Sequence, residues 1–233
     1  MNQIIVRLLI VATSVSSLAG VFGCGDGGKG DINYAALGAS DTFGIGATPL
    51  TNGYPYLIEE GLEARTGKKV DLDNLGIPGA EIGEIDNLEV PILRASSSDL
   101  VTLSTGANDL IDGDNPERFE SDLNGLINKI RSASTNAVIV ISNIPDLTKL
   151  ERFIERPDAN VTSDRVALFN AAISRQARSH GLVLVDLFSV PLSDSLVSEA
   201  DGFHPNDRGH RVMADSFLTA IEPFLGTLSS AAE

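Results

Sequence analysis

The sequence predicts an α/β fold, a three-layer α/β/α sandwich around a five-stranded parallel sheet. Three observations lead there. From Asn33 onward, short apolar runs of strand length alternate with longer stretches whose apolar residues recur at helical spacing. One of the short runs, Ala137-Val138-Ile139-Val140-Ile141, is apolar throughout, as a strand covered on both faces requires. Small or polar residues follow the strand-like runs at Ser40, Gly76 to Gly79, Gly106 to Asp109 and Asn143 to Asp146. In a parallel sheet such loops gather on one rim, where ligands bind.

Taken in order, Tyr34 to Leu37 is the first strand and runs into the turn Gly38-Ala39-Ser40. Tyr54 to Thr66 is a helix with Pro55 in its first turn, Leu57, Ile58 and Leu62 on one face, and Gly67 as its stop. Val70 to Leu75 is a second strand and Leu100 to Ser104 a third. Asn115-Pro116 opens a helix carrying Phe119, Leu123, Leu126, Ile127 and Ile130. After the fourth strand at 137–141, Val166, Phe169, Ile173 and Ala177 mark a helix closed by Gly181. Leu182 to Asp186 is a fifth strand, and the last helix follows Asn206 with Val212, Met213, Phe217 and Ile221. Helices between strands force parallel pairing with right-handed crossovers.

The 233 residues, 42% of them hydrophobic, suffice for one substantial core. With no tryptophan and 5% aromatics, that core must be mainly aliphatic. A formal net charge of −15 and the lack of a Lys/Arg cluster argue against nucleic acid as a partner. The same charge disfavours general attraction to anionic lipid. A single cysteine excludes an intramolecular disulfide framework and any multi-cysteine metal site.

Residues 1–23 read as a secretory signal peptide, with Arg7 as the only charge ahead of the apolar run Leu8 to Ala12. The run is too short for a comfortable membrane span. It ends at Val21-Phe22-Gly23-Cys24, which resembles the lipobox of bacterial lipoproteins, although Phe22 is bulkier than that motif usually carries. The resemblance implies lipidation at Cys24 and a place in the bacterial envelope. The alternative is a cleaved signal, a chance cysteine and a secreted or periplasmic protein. Residues 24–32, rich in glycine and without apolar periodicity, read as a flexible tether to a domain over 33–233.

Two stretches hold the makings of a nucleophile and its base. Ser40 ends the first strand among residues of little bulk, and Asp201-Gly202-Phe203-His204-Pro205 pairs an imidazole with a carboxylate three residues earlier. A serine hydroxyl is a poor nucleophile until a base takes its proton, and imidazole does this near neutral pH. A carboxylate can hold and orient the ring. Neither stretch carries the reading alone, because Gly-x-Ser is common in turns. His180 sits in the last turn of a helix, where a partly cationic side chain is favoured, and reads as structural. His210 reads as a surface residue or a neighbour of the site. Asp112 and Asp114 read as solvated loop carboxylates rather than calcium ligands. Nothing resembles a complete metal site, so neither a metal nor a cofactor is expected.

Between these stretches stand Asn74-Leu75-Gly76-Ile77-Pro78-Gly79 and Gly106-Ala107-Asn108-Asp109. In order and spacing the four together resemble the blocks of the SGNH hydrolases, also called the GDSL esterase/lipase family. The resemblance implies a flavodoxin-like form of the sandwich, with Ser40 as nucleophile and Asp201 and His204 as the base pair. It also implies an oxyanion hole made by the N–H of Ser40, the N–H of Gly79 and the side-chain amide of Asn108, with Gly76 competing for Gly79's place. The first block departs from the family: Ala39 replaces the usual aspartate, and Asp41 stands where leucine commonly follows the serine. The implied activity is hydrolysis of carboxylic esters of small-molecule substrates through an acyl-enzyme. Carbohydrate deacetylation, thioester or lysophospholipid hydrolysis and a non-catalytic lipoprotein binding domain are the alternatives. Asn143 to Arg165 is expected to help shape the pocket.

Overall fold

The structure, a computed structural model, describes residues 31–93 and 97–230. The expected signal peptide, Cys24 and all but the last two residues of the expected tether lie outside the described residues. In chain order the elements are β1 (Ile32–Gly38), α1 (Ser40–Phe43), α2 (Tyr54–Thr66), β2 (Val70–Asn74) and α3 (Ile82–Glu84). A π-helical turn, Ile85–Glu89, runs into α4 (Val90–Leu93), followed by β3 (Leu100–Ser104), α5 (Ala107–Asp112) and α6 (Pro116–Ala133). Then come β4 (Val138–Ser142), α7 (Glu151–Glu155), α8 (Ser163–His180), β5 (Val183–Val185), α9 (Asp207–Ile221) and α10 (Leu225–Ser230).

All five strands pair in parallel, in the order β2-β1-β3-β4-β5. The expected sandwich is the observed one. Alternate residues of β1 divide the core: Ala35 and Leu37 face a layer with Phe119 and Leu123 of α6 and Phe169 and Ile173 of α8. Ile32, Tyr34 and Ala36 face Tyr54, Ile58 and Leu62 of α2 and Phe217 and Ile221 of α9. Aromatic pairs sit within both layers, Phe119 on Phe169 at 4.7 Å and Tyr54 on Phe217 at 5.2 Å between ring centroids.

Helices α6, α8 and α9 start where polar side chains satisfy their first N–H groups. Asn115 accepts from Arg118 N, Thr162 from Arg165 N, and Asn206 from both Arg208 N and Gly209 N. Several strand boundaries shift by one or two residues from expectation, and those of β1 and β5 do so for identifiable local reasons. β1 begins at Ile32, which is buried, so the last residue of the expected tether belongs to the sheet. β5 is shorter than the apolar run because Leu182 N–H turns back to Ala177 O and closes α8. At its other end the Asp186 carboxylate accepts from Asn143 and Ser189, which takes it out of the ladder.

The register places Gly38 of β1 opposite Ser104 of β3, and Ala36 opposite both Asn74 of β2 and Thr102 of β3. The loops that leave these strands therefore emerge side by side. The order of the sheet reverses at β1, so this is also the switch point at which open α/β sheets form their crevice.

Candidate active site

The turn that carries Ser40 is set by close approach of β1 to β3. Gly38 has φ of 146°, and a Cβ there would stand 2.2 Å from Ser104 O, so a larger residue would push the strands apart. Its N–H donates to Glu89 Oε2 at 2.9 Å. Ser40 opens α1, and its carbonyl accepts the N–H of Ile45 at 2.8 Å, folding the following segment back over the turn. Asp41, which with Ala39 departs from the block it resembles, has its own anchors. Its Oδ2 accepts the Ser104 hydroxyl at 2.8 Å, and Ser104 in turn accepts the Ser142 hydroxyl at 3.2 Å.

His204 arrives from the far end of the chain. Its Nε2 lies 3.0 Å from Ser40 Oγ, and its Nδ1 lies 2.6 Å from Asp201 Oδ2. With the ring proton on Nδ1 donated to the carboxylate, the Nε2 lone pair is left for the serine O–H. The other carboxylate oxygen, Oδ1, accepts the N–H groups of Phe203 and His204 at 2.9 and 3.0 Å. Burial works to raise the Asp201 carboxyl, but these hydrogen bonds, first that of His204, outweigh it and hold Asp201 below the ordinary carboxylate value. The loop is tied down by Ser198 N–H on His204 O at 2.7 Å and Gly202 N–H on Ser198 O at 2.8 Å.

The second and third loops come from β2 and β3. The N–H of Gly76 is taken by Asn74 Oδ1 at 3.1 Å, while Asn74 Nδ2 donates to Thr42 O at 2.8 Å. Gly79 has φ of 83°, a backbone that side-chain-bearing residues rarely adopt. Among the described residues no acceptor is given to the main-chain N–H of Ser40 or of Gly79. Asn108, in the first turn of α5, spends one amide proton on Ala80 O at 2.9 Å, which leaves the second free. Ala80, Ser40, Asn108 and His204 line one cleft. Its walls are mainly apolar, among them Ile144, Leu147, Leu187, Val190, Phe203 and Met213. Asn143 to Leu147 thus supply part of the wall.

Two contributors, Arg152 and Glu89, escaped the sequence reading. Arg152 of α7 donates to Asp201 O at 3.1 Å and places its guanidinium 5.4 Å from the Phe203 ring centroid. Phe203 in turn meets the His204 ring edge-on at 5.1 Å. Glu89 is fully buried behind the nucleophile turn, with Oε1 unpartnered, and burial pushes its carboxyl up to about 8. Of the two readings of His210, the surface one is corrected, because it is fully buried, and the other, a neighbour of the site, fits its contacts. Its Nδ1 accepts Tyr54 N–H at 3.2 Å and its Nε2 stands 3.0 Å from Ile45 O, so the neutral tautomer ties α9 to α2 and to the segment after Ser40. Burial pushes its pKa down, in keeping with that tautomer. His180, at the end of α8, meets Asn124 Oδ1 at 2.7 Å.

Comparison with known proteins bears on this geometry. A curated multidomain esterase of Ruminococcus flavefaciens is 27% identical over 158 residues, covering 64% of this chain and 19% of the relative. A GDSL-like esterase of Mycobacterium tuberculosis is 24% identical over 202 residues, covering 84% of this chain and 63% of the relative. The chain therefore spans about a fifth of one relative and under two thirds of the other. Among solved structures, the family 3 carbohydrate esterase of Clostridium thermocellum superposes with a TM-score of 0.70 at 19% identity, over 86% of this chain and 100% of that one. The esterase EstA of Pseudoalteromonas sp., inhibited by monoethylphosphonate, gives 0.67 at 19% identity, over 83% of this chain and 98% of its own. At these identities the likeness is one of fold. The match to the model of the GDSL-like lipase/acylhydrolase family runs over residues 36–212, from within β1 to within α9 and so across every loop of the cleft, and the chain belongs to that family.

Proposed function

We propose that this chain is a serine ester hydrolase in which Ser40 is the nucleophile, His204 the general base and Asp201 the carboxylate that orients it. The observation that carries the reading is the chain of contacts from Ser40 Oγ through His204 to Asp201, at 3.0 and 2.6 Å. In the first half-reaction Ser40 Oγ attacks the ester carbonyl carbon as its proton passes to His204 Nε2. The negative charge that develops on the carbonyl oxygen is met by the unspent N–H groups of Ser40 and Gly79 and the second amide proton of Asn108. The carbon–oxygen bond to the alcohol then breaks, and His204 returns the proton to that leaving oxygen. Water attacks the Ser40 acyl ester by the same route in the second half, releasing the acid and restoring the serine. Gly79 is favoured over Gly76 for the oxyanion because the Gly76 N–H is already engaged by Asn74.

The apolar cleft wall supports an ester with an alkyl acyl group over an acetylated sugar. The same chemistry serves a thioester or a lysophospholipid. A chromogenic ester series of increasing acyl length tests this, with turnover expected to rise beyond acetate. A fluorophosphonate probe should label Ser40 in the wild type and fail on Ser40→Ala, whereas labelling of another serine would refute the assignment. The proposal includes export and lipidation at Cys24, supported by the sequence that ends at that residue. Among the described residues no helix is long and apolar enough to cross a membrane. Cys24→Ser should release the protein from membranes with esterase activity intact.

A further inference from the structure

We propose, contrary to the sequence reading of Asp114 as a solvated loop carboxylate, that the carboxylates of Glu81, Asp109 and Asp114 form a binding site for one Ca²⁺ ion, near Ser40 but separate from it. One carboxylate oxygen of each lies within 4.8 Å of the others. That spacing accommodates Ca²⁺, which takes oxygen ligands at roughly 2.4 Å in flexible geometry, whereas Mg²⁺ keeps several waters and is usually held by only one or two carboxylates. All three donors are hard oxygens, with no nitrogen or sulfur ligand to favour a transition metal.

Acidic side chains gather on many surfaces without a metal, but Asp109 adds a second observation. Asp109 is fully buried, and its Oδ1 accepts the N–H of Ile82 at 3.1 Å. Its Oδ2 is shut off from solvent and meets no donor. A buried carboxylate oxygen without a donor is costly, and two further carboxylates at this distance add to the cost. Among the described residues no lysine or arginine forms an ion pair with any of the three. Arg165 reaches this corner but spends its donors on the main-chain oxygens of Leu110, Asp114 and Asn160.

The location gives the ion a purpose. Glu81 lies two residues beyond Gly79 and Asp109 directly follows Asn108, while Asp114 begins the segment that leads into α6. A cation shared by the three would brace the loop after β2 against α5, the two pieces that carry the candidate oxyanion donors.

The test is calcium binding to the full chain after treatment with EDTA, read by titration calorimetry with CaCl₂ and by thermal unfolding, neither of which depends on ester turnover. The expected result is one equivalent of bound Ca²⁺ and a melting temperature raised by roughly 5–10 °C when Ca²⁺ exceeds its dissociation constant about a hundredfold. Asp114→Asn and Glu81→Gln should each abolish both effects, and MgCl₂ should give a much smaller shift. Glu81→Gln keeps an acceptor for the Glu84 N–H at the start of α3, so it decides the matter if Asp114→Asn fails to fold. Absence of calcium heat and of any calcium-dependent shift in the wild type would overturn the site, as would wild-type responses in both variants. A melting temperature indifferent to Ca²⁺ but rising as the pH is lowered would show that shared protons, and no metal, hold the carboxylates together.

Discussion

Asp201 grips His204 at two points, its Oδ2 on the ring Nδ1 at 2.6 Å and its Oδ1 on the main-chain N–H at 3.0 Å. One carboxylate therefore sets both the tautomer and the position of this imidazole. In Asp201→Asn the side-chain oxygen can still accept from the main chain, but the amide would present a donor to Nδ1 and favour the wrong tautomer. We expect kcat to fall by roughly 10³–10⁴ with the fold retained. Because the folded-state pKa of Asp201 is depressed, its stabilisation is present above the unfolded value near 3.8 and is lost as pH falls through the folded one. Thermal unfolding in acid should accordingly show a shallower loss for Asp201→Asn than for the wild type.

Ser40→Ala and His204→Ala should each remove nearly all turnover. The double variant should be hardly worse than either, since a nucleophile and its base act as a unit. Additive losses in steady-state kinetics would mean that the two residues contribute separately.

Asn108→Ala tests whether the second amide proton meets the developing oxyanion. Loss of one such donor typically lowers kcat by on the order of 10²–10³, with KM nearly unchanged. Asn108→Asp should be at least as damaging, because a carboxylate would face the developing charge. A raised KM with kcat preserved would make Asn108 a binding residue instead.

Arg152 touches no reacting atom and is expected to act by positioning. It holds Asp201 O and covers Phe203, whose ring abuts His204. Arg152→Ala should lower kcat about 2–10-fold, the worth of one ordinary hydrogen bond, and leave KM alone. Arg152→Lys, which keeps a donor for Asp201 O, should restore part of the rate. An unchanged kcat in Arg152→Ala would sink this role.

Glu89 makes a prediction with the opposite pH sign to Asp201. Its carboxyl is raised from 4.5 to about 8, so between those values the folded protein holds a proton that the unfolded chain has released. Stability then falls as pH rises through that window, by at most roughly 1.4 kcal/mol per unit. Glu89→Gln keeps an oxygen for the Gly38 N–H and removes the titration. Its melting temperature should vary less with pH over the window than that of the wild type, as scanning calorimetry would read.

Much of this molecule was legible in its amino acids, and the illegible parts share a cause. Apolar runs and helical spacing located the strands and main helices, because burial on both faces of a parallel sheet leaves a continuous record in each strand. The residues singled out as nucleophile, base and orienting carboxylate fall within hydrogen-bonding distance of one another. For His210 a surface position stayed open beside one next to the site, because a polar residue on an amphipathic helix looks solvated. Its partners lie 156 and 165 residues away. Glu89 is hidden in the same way, between two apolar residues, with its partner Gly38 51 residues distant. A buried polar group is explained by what it bonds to, and local pattern carries no record of a bond across the fold.

Ser40 and His204 stand 164 residues apart in the chain. In the proposed mechanism, synthesis from the amino end displays the serine long before its base exists. Until residues beyond 200 have been made and α9 has docked against α2, Ser40 would carry an ordinary alcohol, inert toward surrounding esters. Completion of the fold would then serve as the arming step.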